Sequence, residues 1–101
     1  MKIEKVSEHG DICGGCTYRY KVTFDISNPT LSEALKEIKE WRDAHENEGA
    51  HRTCVDNKII ESTWIGERGN PYVGDTSKKV KHVVAHGGWF CGIDIELYTE
   101  V

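Results

Sequence analysis

The sequence has no apolar run of membrane-spanning length, no internal repeat and no low-complexity segment, which excludes a helical membrane protein and a solenoid. It is also short of bases. Thirteen lysines and arginines stand against 17 acids, for a formal net charge of −4. Phosphate-backbone recognition needs a basic footprint, so nucleic acid is excluded as a partner. No apolar core follows the opening MKIEKVSE, so this stretch reads as a strand and not as a signal peptide, and the expected location is the cytoplasm. Thiols there stay reduced, and four cysteines need not mean two disulfides. The loop from Gly66 to Lys79 lacks the GKS or GKT, and the following helix, that a phosphate-cradling loop requires.

What is present suits one domain over residues 1–101, long enough to bury a core without staples. In TYRYKVTFDIS, Tyr18, Tyr20, Val22, Phe24 and Ile26 alternate with polar residues, the pattern of a half-buried strand. LSEALKEIKEWRDAHENE follows, with Leu31, Ala34, Leu35, Ile38 and Trp41 at helical spacing. Thr30 and Glu33 form a capping box, and Gly49 supplies the stop. A weaker strand around Lys58 to Ile65 and two strands joined at Gly87-Gly88 complete the order β-β-α-β-β-β. The expected fold is α+β: an antiparallel sheet of four to five strands with one long helix packed on one face.

A two-residue turn at Gly87-Gly88 would set Lys81 opposite Asp94, Lys79 opposite Glu96 and Val84 opposite Cys91. Charges would then meet opposite charges, with Val80, Val84, Cys91, Ile93 and Ile95 on the buried face.

HGDICGGC places Cys13 and Cys16 at a spacing that suits half a zinc site, a redox pair or a glycine-rich turn. The redox reading lacks the helix N-terminus that would lower a thiolate pKa. Zinc would need remote ligands, from His9, from His51 and Cys54, or from His82, His86 and Cys91. No cofactor is expected, with zinc at Cys13 and Cys16 left open. Cys54 and Cys91 read as small core residues.

Charge is the least expected feature. Residues 33–48 hold six acids against three bases, and Asp43, Glu46 and Glu48 crowd the helix C-terminus, where the macrodipole favours cations. Complementarity to a basic protein surface would justify that arrangement. The long loop adds Arg68 and Tyr72 as further contact residues. The expected function is a small, non-enzymatic protein-binding module of the inhibitor, immunity or mobile-element accessory type. The alternative is a zinc-stabilised domain, or a small metal- or cysteine-dependent enzyme, built around Cys13 and Cys16.

Overall fold

The computed structural model describes residues 1–10, 16–45, 49–88 and 92–101; of residues 8–10, 16, 17 and 88 it describes the backbone alone. Strands β1 (Lys2–Gly10) and β2 (Cys16–Thr23) precede helix α1 (Leu31–Ala44). Strands β3 (Arg52–Val55), β4 (Lys58–Ser62), β5 (Val80–Gly88) and β6 (Ile93–Thr99) follow. They form one six-stranded sheet in the order β1-β2-β5-β6-β3-β4. The α+β architecture with one helix on a face is as the sequence indicates. The sheet is larger than expected, and it is mixed, because β3 runs parallel to β6 while every other neighbouring pair is antiparallel.

The helix buries Leu31, Ala34 and Ile38 against Val55, Val80, Ala85, Ile95 and Leu97 of the sheet. Its capping box forms as the sequence implies: Glu33 N–H donates to Thr30 Oγ1 (3.2 Å) and Thr30 N–H donates to Glu33 Oε1 (3.0 Å). The C-terminal stop is different from the one expected. His45 caps the helix through its own N–H to the Arg42 carbonyl, and its ring stacks on Trp41 with centroids 4.2 Å apart. Gly49 does take the left-handed conformation (φ 100°), but beyond the cap.

Strand β2 ends at Thr23, short of the alternation that runs on to Ile26. Buried Glu37 diverts the backbone there, accepting from Asp25 N–H (2.7 Å) and Ile26 N–H (3.3 Å), so those donors never join the ladder.

The β5–β6 register differs from the two-residue-turn reading. Gly87 pairs with Ile93, His86 with Asp94, Ala85 with Ile95 and Val84 with Glu96. Gly87 and Gly88 remain inside the ladder, opposite Tyr18 and Thr17 of β2, and cannot also form the turn. Gly87 is there for close approach: a Cβ on it would lie 2.6 Å from the Gly92 carbonyl oxygen. Side chains alternate faces, so the altered register leaves Ile95 buried but moves Val84 to the face away from the helix. Lys81 does not face Asp94, and Lys79 bridges instead to Thr30.

The connection from β4 to β5 passes the N-terminal end of the helix and is pinned twice. Asn70 N–H donates to the Ile59 carbonyl of β4 (3.0 Å), while Thr76 and Lys78 offer their carbonyls to the first N–H groups of α1, at Ser32 (3.0 Å) and Leu31 (2.8 Å). Those donors have no partner within the helix, so the loop completes the helix end.

Candidate functional site

Two cavities lie at the two ends of the β3–β4 hairpin. The first, about 660 Å³, is lined by Arg42 and Asp43 of α1, by Ala50 and His51 before β3, and by Glu61, Trp64 and Ile65 after the hairpin turns back. Arg42 stands at its base, 7% exposed. Its Nε and Nη2 donate to Thr53 Oγ1 (3.2 and 2.9 Å), Nη1 donates to the Ile93 carbonyl (3.3 Å), and Nη2 also donates to the Arg52 carbonyl. Every one of those acceptors is neutral. Burial pulls the guanidinium below its ordinary range, and the nearby charges of Glu61 and Asp94 act against that.

His51, 4% exposed, packs edge-on to Trp41 and accepts the Ile93 N–H at Nδ1 (3.0 Å), which leaves its proton on Nε2. Burial, with the Arg42 charge adding to it, holds the imidazole below its usual 6.5. At the mouth of the cavity Ile65 is fully exposed, Asp43 and Glu61 are exposed, and Asp43 has only a loose 3.9 Å contact with Lys39.

The second cavity, about 760 Å³, lies between the β3–β4 turn and the pinned loop. Val55, Ile60, Pro71 and Tyr72 give it apolar walls, and Lys58 and Arg68 line it as well. Tyr72 is half-buried against the core, so it is not the freely exposed anchor the sequence suggested. The turn itself is Asp56-Asn57, both at positive φ (49° and 70°), the geometry of a type I′ hairpin.

The five contact residues expected from the sequence therefore separate. Asp43 lines the first cavity, Arg68 and Tyr72 line the second, and Glu46 and Glu48 lie outside the described residues. Sequence reasoning missed Arg42, Glu61, Trp64 and Ile65, and it weighed His51 only as a zinc ligand beside Cys54. Their signal was weak, since a helical arginine and residues around unforeseen short strands look like surface residues.

The face away from the helix carries a polar row, in which Arg19 pairs with His86, His86 with Asp94, Asp94 with Arg52 and Arg52 with Ser62. Glu67 folds onto Arg52 (Nε to Oε1, 2.6 Å), and His86 approaches Glu96 at 3.9 Å. Charges along this row compensate one another. Cys54 lies on the same face and not in the core; burial, followed by Glu96 and Asp94, pushes its thiol up, away from nucleophilic use. His51 sits on the helix side, so the two do not converge on one ion. Among the described residues no group of three or more His, Cys, Asp or Glu is arranged to hold a metal. Cys13, Cys91 and the side chains of His9 and Cys16, on which the zinc-stabilised and cysteine-dependent readings rest, lie outside the described residues.

No protein-family model, no curated protein and no solved structure matches the chain. Among the described residues no helix is long and apolar enough to cross a membrane.

Proposed function

We propose that the chain is a non-enzymatic protein-binding module that docks a basic segment of a partner protein at the C-terminal end of α1. The observation that carries this reading is the mouth of the first cavity, where fully exposed Ile65 stands beside the exposed carboxylates of Asp43 and Glu61. The arginine below them spends its hydrogen bonds on neutral acceptors, so it feels the Glu61 charge but makes no hydrogen bond to either acid. Asp43 also stands where the helix dipole disfavours it, which complementarity to a basic partner offsets. An apolar contact ringed by charge is the arrangement that combines residence with orientation.

A photo-crosslinking side chain at position 65, with one at Lys2 as control, captures the partner in native cells. Titration of the purified partner then compares the parent chain with Asp43→Lys/Glu61→Lys. Affinity should fall roughly tenfold or more at low salt, and the difference should shrink as salt screens the charges. Equal binding by the reversed-charge variant, or no capture specific to position 65, refutes the reading.

A further inference from the structure

We propose that the second cavity is a binding site for a small amphipathic anion, an apolar carboxylate, whose charged end is met by Arg68 and Lys58 and whose body rests on Ile60, Pro71 and Tyr72. This site is independent of the partner-docking surface at the other end of the hairpin.

Three observations converge on it. Its volume, about 760 Å³, falls within the range of small-molecule sites, roughly 300–1,000 Å³, and its walls combine apolar side chains with the polar ones of Asp56, Asn57, Lys58, Arg68 and Asn70. The charge there also runs against the sign of the chain. Arg68 and Lys58 have no carboxylate partner among the described residues. The one acid in the lining, Asp56, is committed inward, accepting from Thr99 N–H (3.0 Å) and from the Thr99 hydroxyl (2.7 Å). Those bonds hold its carboxyl below the usual 3.8, helped by the charges of Lys78 and Lys81. In a protein of net charge −4, this corner sets two cations against the single charge of Asp56, whose oxygens are turned to Thr99. An anion is the ligand that completes it.

The walls are also set in advance. Gly69 lies so close to β4 that a Cβ would sit 2.5 Å from the Ile60 carbonyl, and Asn70 is hydrogen-bonded to Ile59. Farther along, Thr76 and Lys78 are held by the helix N-terminus. The stretch between these anchors carries Tyr72 and Val73, the latter 96% exposed. A loop ordered before binding spares the ligand the entropy of ordering it.

The test titrates the intact chain with 4-phenylbutyrate and follows backbone amide resonances. Parallel arms use 4-phenylbutan-1-ol, which keeps the body and loses the charge, and inorganic phosphate, which keeps charge and loses the body. Saturable shifts on 56–60 and 68–74 are expected with the carboxylate, which should bind about tenfold tighter than the alcohol, a difference of about 1.4 kcal/mol. Arg68→Gln, an exposed substitution whose fold is checked by the same spectrum, should bring the carboxylate down to the alcohol's affinity. Absence of saturable shifts, shifts centred elsewhere, equal affinity for the alcohol, or phosphate binding as tightly as the carboxylate would each overturn the proposal.

Discussion

Arg42 and Arg68 stand at opposite ends of one short hairpin, and they do different things with the same side chain. Arg42 is buried under an acidic mouth, spends its guanidinium on Thr53 and two backbone carbonyls, and fastens the helix C-terminus to β3 and β6. Arg68 is exposed, lines the other cavity, and has no carboxylate partner among the described residues. The contrast teaches that the position of a charge in the sequence says little about its use. A buried cation met by fixed acceptors is structural, and an exposed one beside an apolar hollow is available to a ligand.

The largest expected effect breaks this comparison most directly. Arg42→Met leaves three acceptors without their donor, at about 1–3 kcal/mol for each that stays buried, and that sum outweighs the relief of removing a desolvated charge. A loss of roughly 3 kcal/mol or more is expected in a urea melt. Arg68→Gln should stay within about 0.5 kcal/mol of the parent. Similar midpoints for the two variants would erase the distinction between a structural and a free arginine.

The next effect is smaller and concerns the loop that walls the second cavity. A methyl group at Gly69 meets β4 backbone at 2.5 Å, which cannot give way, whereas one at Gly74 meets the far end of the Tyr72 side chain, which can rotate. Gly69→Ala should cost about 1–3 kcal/mol through overpacking and weaken 4-phenylbutyrate binding, because the loop must lift from β4. Gly74→Ala should be the milder change in thermal melts. The reverse order would mean that the loop is not pinned where Asn70 meets Ile59.

How far the sequence revealed these features depended on whether the signal was local. The capping box at Thr30 and Glu33 and the apolar stripe of α1 involve neighbours in the chain, and both were legible. Strand β3 was not, because four residues, Arg52 to Val55, are too few to show a period, and its one local signal is the turn pair Asp56-Asn57 after it. The β5–β6 register misled for a physical reason: paired glycines satisfy a turn and a close-packed ladder equally well, and only the presence of β2 alongside decides between them. Of the site, Asp43 and Arg68 were visible as charges. Their separation to two cavities depends on a six-strand order that no local pattern encodes.

The smallest effect is one of pH, and it belongs to the acidic end alone, since no histidine lines the second cavity. In the folded chain, burial and then the Arg42 charge hold His51 below 6.5, so the unfolded chain binds this proton more readily. The sign follows. Stability associated with neutral His51 is fully present above 6.5 and is lost as the pH falls from there toward the folded value. Urea midpoints measured from pH 8 down to about 5.5 should therefore decline in the parent, with most of the decline beginning near 6.5. His51→Gln removes the titrating group; it should lower stability throughout by disturbing the Ile93 N–H contact, yet flatten the slope over that interval. Arg42→Met, which removes the adjacent charge, should leave the onset near 6.5, where the unfolded chain sets it, but end the decline at a higher pH by letting His51 rise toward its usual value, so that less stability is lost overall. Parallel slopes for the parent and His51→Gln would show that another group carries the pH dependence, and that burial and the Arg42 charge do not hold His51 neutral.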